Sequence, residues 1–192
     1  MPLIQIPTSG LWGTIAGYLN SNYALMQTKI KNTTGHGFYL DSATDLDPQA
    51  FTDGIKQKLT CDKSFTDERL PDAVVSFFDD ATQKFTPDQV DGIYGLNISC
   101  HAYAASHDKV VLVEVESPNG VAPGIALPLR VQTVRMSKNV GADNNVALYF
   151  ATAVSPTMLT NGIEVYLTFT GTNATVHGIS YQLVKLNAPL LP

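Results

Sequence analysis

Four histidines, two cysteines and several closely spaced carboxylates are the side chains that could do chemistry in this sequence. His36, His101, His107 and His177 form no HExxH or other compact metal-ligand spacing. His101 and His107 flank one turn, and with no third ligand beside them they read as a surface-loop pair. Asp41, Asp45 and Asp47 form an acidic run without the DxDxDG order of a calcium loop, so a solvated turn is expected. Glu114 and Glu116 fall on one face of a strand. A glycosidase pair would face its partner across a groove; alternating charge on a wet strand is the simpler reading. Cys61 and Cys100 have no neighbouring nucleophile pattern and read as reduced thiols of a cytosolically assembled protein, with a disulfide left open. There is no GxSxG, no P-loop and no GxGxxG. The sequons at Asn32, Asn97 and Asn173 matter only on a secretory route. No metal, no cofactor and no enzymatic activity are expected.

The elements available to position these side chains are mostly strands. Residues 163–170 alternate, with Ile163, Val165, Leu167 and Phe169 on one side and Glu164, Tyr166, Thr168 and Thr170 on the other. That period of two belongs to a strand with one buried and one wet face. Residues 94–104 alternate as well, and 109–116, 146–151 and 174–186 read as further strands. Residues 125–136 carry Pro128 inside a strand pattern, which implies an edge, a bend or two short strands. Ser117-Pro-Asn-Gly120, Asn139 to Asn145 and Asn161-Gly162 supply turn chemistry. Six to eight short strands at this spacing predict an antiparallel β-sandwich, most simply a jelly roll, over residues 92–192.

Residues 1–91 read as an N-terminal segment, part helical and part extended. A helix over about 9–27 opens on Ser9 as N-cap, with Leu11, Ile15, Tyr18, Asn22 and Leu25 on a heptad-like stripe. Gly13 and Gly17 each cost up to about 1 kcal/mol of helix propensity, so this helix must dock on something. Spacing alone favours its own domain; copies of itself or a host structure are the other choice. Gly37 to Asp41 suggests a short strand. Asp47-Pro48 with Phe51, Ile55 and Leu59 suggests a second helix. Leu70 to Asp79 is either a helix opening at Pro71 or an extended arm whose Phe77 and Phe78 grip a groove.

Composition removes several function classes. The 192 residues carry a net charge of −5, with seven basic and eleven acidic side chains in residues 1–90 and five and six in residues 91–192. No basic stripe exists, so nucleic acid is not expected as a partner. No basic amphipathic anchor and no run of about 20 apolar residues is present, so membrane insertion is not expected. Met1-Pro-Leu-Ile-Gln-Ile does not read as a secretory signal. Charged residues make up only 15%, against roughly 25% in an average protein. A surface so poor in charge is one that partners cover.

Two stretches resemble virion proteins of tailed bacteriophages. Leu11-Trp-Gly-Thr-Ile-Ala-Gly-Tyr-Leu-Asn-Ser-Asn-Tyr23 resembles the Trp-Gly then Leu-Asn-x-Asn-aromatic segment near the N-terminus of phage tail-fibre, tailspike and head-fibre proteins. Phe77-Phe-Asp79, Phe85-Thr-Pro87 and Gly92-Ile-Tyr94, followed by a β block ending in Thr172 to Leu186, are similar to small jelly-roll modules of phage fibres and capsid decoration proteins. The resemblance implies a trimeric jelly roll in a virion assembled in a bacterial cytoplasm. It implies anchoring through Leu11, Trp12, Ile15, Tyr18, Asn22, Tyr23, Phe77 and Phe78 to major capsid, portal or tail proteins. It leaves Tyr103, His107 and Asn144 as a candidate outward loop for a host-surface glycan. No repeat shaft is present, which favours a compact head-decorating or collar protein over a complete tail fibre. A receptor-binding tail fibre or adaptor is the alternative, and a carbohydrate-active enzyme on a jelly roll is a further rival.

Overall fold

The computed structural model describes residues 15, 17–24, 34–71, 74–106, 109–137 and 142–187. Helix α1 covers residues 17–24. The strands are β1 (Gly35–Leu40), β2 (Gln49–Phe51), β3 (Gln57–Lys58), β4 (Phe65–Arg69), β5 (Phe78–Asp79), β6 (Lys84–Phe85), β7 (Ile93–Ala104), β8 (Val110–Ala122), β9 (Ile125–Arg135), β10 (Asn144–Ala153), β11 (Glu164–Thr170) and β12 (Ala174–Asn187). Helix α2 (Pro156–Asn161) lies between β10 and β11.

Two antiparallel sheets face each other. The first, sheet A, runs β10-β7-β12-β1-β4, with β2 also on β12. The second, sheet B, runs β3-β11-β8-β9. From β7 onward the chain passes from sheet A to β8 and β9 in sheet B, back to β10, across to β11 and back to β12. This crossing between two antiparallel sheets makes the fold a jelly roll.

Pairing gives the sandwich two distinct ends. Gly35 pairs with Lys185, and Ala153 pairs with Ile93, so the chain enters sheet A at one pole. Ala104 pairs with Ala174, which pairs with Phe51, and Thr170 pairs with Val110, at the opposite pole. We call these the near and far poles.

The strands form where apolar and polar residues alternate. In β7, Tyr94, Leu96, Ile98, Cys100 and Ala102 are buried on the inner face. In β11, Val165, Leu167 and Phe169 point inward, as the alternation requires. Aromatic rings fill the near half of the core. Phe78 lies 5.4 Å from Tyr39, 5.1 Å from Phe85 and 5.3 Å from Tyr181, centroid to centroid. Each fully buried side chain of this size contributes roughly 1.5–3 kcal/mol. Gly37 makes the packing geometrically possible: a Cβ there would lie 2.2 Å from the Tyr39 hydroxyl, which donates to Glu68.

Four readings of the sequence are corrected here. The sandwich does not begin at residue 92, because β1, β2 and β4 hydrogen-bond into sheet A and β3 into sheet B. The expected helix through Phe51, Ile55 and Leu59 is a pair of short strands joined by a turn at Asp53-Gly54. Phe51 and Leu59 each fill the core at 3% and 1% exposure, and β pairing to β12 and β11 outweighs a helical spacing that Gly54 already weakens. Phe77 and Phe78 are not a projecting arm. They are buried at 0% and 1%, and β5 with β6 forms a small hairpin that closes the core. Ser117 to Gly120 does not end β8, which continues to Ala122 and turns at Pro123-Gly124. Pro128 sits on the edge strand β9, at a register shift against β8, where its missing N–H costs nothing. Helix α2 escaped the sequence reading although its signals are ordinary: Ser155 caps Met158 N–H and Pro156 opens the first turn.

Candidate functional site

Most of the residues that could do chemistry are engaged in holding the fold. Asp41 accepts from the backbone N–H groups of Ala43 and Asp62 and from Gln49 Nε2, so it organises the loop after β1. Cys61 and Cys100 are free and buried, and burial pushes both thiols up to about 12. A thiol held protonated is a poor nucleophile. Among the described residues, no three His, Cys, Asp or Glu side chains are grouped to hold a metal ion.

Glu114 and Glu116 belong to an ionic network on the outer face of sheet B. Lys56 Nζ lies 2.7 Å from Glu116 and 3.4 Å from Glu114. Lys58 lies 2.8 Å and Lys84 3.7 Å from Glu164, which also accepts from the Tyr166 hydroxyl. The Lys56 ammonium sits 4.7 Å from the centre of the Tyr166 ring. Burial alone would raise the Glu164 carboxyl; the hydrogen bonds from Lys58 and Tyr166 and the two lysine charges outweigh it, and the group is held below its ordinary range. The Tyr166 phenol is pushed the other way, by burial and by Glu164. Each carboxylate of this network is paired with a lysine, which is how a wet sheet face is built rather than a general acid and base.

The outer face of sheet A is the opposite in character. On β10 the outward residues are Asn145, Ala147, Tyr149, Ala151 and Ala153. On β7 they are Ile93, Gly95, Asn97, Ser99, His101 and Tyr103. On β12 they run from Thr175 and His177 through Ser180, Gln182 and Val184 to Leu186. On β1 they are His36, Phe38 and Leu40. No Asp, Glu, Lys or Arg stands among them; the one lysine in these strands, Lys185, points inward, 2% exposed, to Asp88 at 2.7 Å. Ile93, Tyr149 and Leu186 are exposed at 40%, 64% and 47%, and the Tyr149 hydroxyl lies over Gly95. Charge returns at the borders of this face: on the edge strand β4, with Asp67 and Arg69 beside Phe38 and His36, and at Asp143, just before β10.

At the far pole this face ends in a ring stack and a hollow. Tyr103 lies on His177 at 5.2 Å, His177 on His101 at 5.4 Å, and His101 Nδ1 contacts Asp143 at 2.9 Å. Gly178, in the left-handed region at φ +58, lets β12 bulge between His177 and Ser180 and brings the imidazole of His101 close beside it. Beside Tyr103 is a cavity of about 390 Å³ lined by Ala50, Phe51, Thr52, Tyr103, Ala104, Ala105, Asn173, Ala174 and Thr175.

The residues singled out from the sequence are therefore scattered. Leu11, Trp12 and His107 lie outside the described residues. Ile15 and Tyr18, Asn22 and Tyr23 of the α1 segment are exposed, the two tyrosines at 70% and 44%. Phe77 and Phe78 are core. Tyr103 and Asn144 do share the far pole, where Asn144 Nδ2 donates to the Ala102 carbonyl. Sequence reasoning missed the uncharged sheet face, which exists only once four strands are in register. It also missed a role for Thr52 and Asn173, although the Gly171-Thr-Asn173 turn before β12 was a usable signal.

No family profile matches the chain, and no curated protein matches it. Among solved structures it is similar to the PRD1 vertex protein P5, at 11% identity and TM-score 0.48, covering 81% of this chain and 74% of that one. It is also similar to Eiger TNF from S. frugiperda, at 10% identity and TM-score 0.47, covering 84% and 99%. A third likeness is to murine APRIL, at 14% identity and TM-score 0.46, covering 80% and 98%. With all three scores below 0.5, the jelly-roll assignment stands on the strand order and pairing given above.

Proposed function

We propose that this chain is a non-enzymatic structural protein of a bacteriophage particle. In this reading it is a capsid-attached decoration or head-fibre protein that forms a homotrimer through its jelly roll. The observation that carries self-association is the contrast between the two sheet faces. Sheet B wears a lysine–glutamate network; four strands of sheet A present no charged side chain. Depletion of charge with aromatic enrichment marks the centre of protein interfaces. Between the near pole and the Tyr103–Thr175 row, at about 4.8 Å between strands and about 6.7 Å between successive outward residues, β10, β7 and β12 offer roughly 450–500 Å² of flat sheet. Side-chain relief such as Tyr149 adds to that, toward the ~800 Å² per partner of a stable interface.

The phage assignment is supported by the resemblance of Leu11 to Tyr23 to virion attachment segments. The exposed apolar side chains of the α1 segment, Ile15, Tyr18, Leu19 and Tyr23, suit a helix that docks on another protein. Capsid, portal or tail proteins are the partners this reading assigns to it. The first strand of the sandwich, β1, begins at the near pole with Gly35. Among the described residues no helix is long and apolar enough to cross a membrane.

Light scattering on the purified protein is expected to give the mass of a trimer, and a monomer at micromolar concentration removes the self-association claim. Trp12→Ala is expected to lower occupancy on virions while the far-ultraviolet β signal is retained; unchanged occupancy removes the anchoring claim. A receptor-binding tail fibre or adaptor is the second reading, favoured by the hollow beside Tyr103 at the far pole.

A further inference from the structure

We propose that the far-pole hollow is a binding site for an uncharged pyranose ring, a ligand class that deepens the second reading above. Its floor is one transverse row of sheet A: Tyr103 pairs with Thr175, and Thr175 with Ala50, all three facing outward. The next positions, Ala105, Asn173 and Thr52, form the rim, and Ala105 N–H donates to the Asn173 carbonyl. No lining residue carries charge, so neither a carboxylate, a phosphate nor an ammonium group would be matched there.

The polar groups that remain are hydroxyl and amide. The Tyr103, Thr52 and Thr175 hydroxyls and the Asn173 amide nitrogen make no hydrogen bond to the described residues. These neutral donors and acceptors stand among alanines and the Tyr103 ring. A pyranose has that same division, with C–H groups on one face and hydroxyls around its edge. Its apolar face would lie on Tyr103 and its hydroxyls would meet the rim.

The site is held ready. Asn173 Oδ1 accepts from Asp53 N–H at 2.9 Å, and Asp53 in turn accepts from Gly171 N–H. Tyr103 is braced by the stack of His177 and His101. Rotamers fixed in advance lose less entropy on binding. The cavity, at about 390 Å³, falls in the range of small-molecule sites.

Saturation-transfer NMR with the full chain tests this. The probes are methyl glucopyranoside, methyl galactopyranoside and N-acetylglucosamine, with N-acetylneuraminic acid and glucose 6-phosphate as charged controls. At least one neutral sugar is expected to receive transfer. Tyr103→Ala and Ala105→Trp, the latter filling the hollow without touching the core, are each expected to weaken that binding about tenfold or more. No transfer to any neutral sugar, preference for the charged controls, or transfer unchanged in both variants overturns the proposal. Light scattering on the same samples separates the two claims. A trimer without transfer sinks the sugar site alone, and transfer to a monomer sinks the self-association alone.

Discussion

Phe78→Ala decides whether the 70–79 segment is core or attachment arm. The ring is 1% exposed and pairs with Tyr39, Phe85 and Tyr181 at 5.1–5.4 Å. Truncating a buried Phe costs about 3–5 kcal/mol, the sum of lost transfer energy and the cavity left behind. Three ring pairs, each contributing about 0.5–1.5 kcal/mol beyond area, place this site toward the upper end. For a chain of this size 1 kcal/mol moves Tm by about 2–4 °C, so a fall of roughly 6–20 °C is expected. Urea and thermal unfolding should be read at fixed protomer concentration, because association adds to apparent stability. Val75→Ala is the control in the same segment: Val75 is 94% exposed and should change stability by less than about 0.5 kcal/mol. If Phe78→Ala stayed within about 1 kcal/mol of wild type while virion occupancy fell, the core assignment would be wrong and the arm reading right.

Two further outcomes follow from the ionisable groups. The Glu164 carboxyl is held below the ordinary 4.5, so its ionic pairing stabilises the fold above that value and is lost as the pH falls through the lower folded-state value. Glu164→Gln should therefore cost roughly 1–2 kcal/mol at neutral pH, and its unfolding curve should converge on wild type in acid; a constant gap at pH 7 and pH 3 would contradict the pairing. Cys61 and Cys100 are buried with raised thiols, so an aromatic disulfide reagent should find no reactive thiol in the native protein and two after unfolding in denaturant; prompt native reaction would refute their burial.

The β architecture was legible where the period of two was clean. Residues 163–170 and 94–104 announced β11 and β7 with the correct faces inward. Before residue 92 only β1 was legible, as the short strand expected over Gly37 to Asp41. β2 and β3 have three and two residues, too few to show a period, and they are strands only because β12 and β11 lie beside them. Phe77 and Phe78 misled for a related reason. Two adjacent rings fit no single-faced strand, and both are buried because Phe77 sits just before a two-residue strand that caps the core. The low overall charge did not say which surface is poorest in charge. Locating it needed the register that sets Tyr149 beside Asn97, Asn97 beside Gln182 and Gln182 beside Phe38. The hollow draws on β2, β7 and the turn before β12, segments no local window joins.

Self-association through the uncharged face of sheet A is the claim on which the functional reading depends. Ala147→Glu addresses it most directly. Ala147 is exposed in the single chain and pairs with Ser99 on the same face, so the substitution leaves the core untouched and adds one charge midway along the edge strand β10. Buried in an interface without a partner, that charge costs several kcal/mol. Light scattering is expected to show a trimer for wild type and a monomer for Ala147→Glu at the same protomer concentration, with the variant's strand signal intact. A wild-type monomer, or a trimer that survives Ala147→Glu unchanged, would contradict the account.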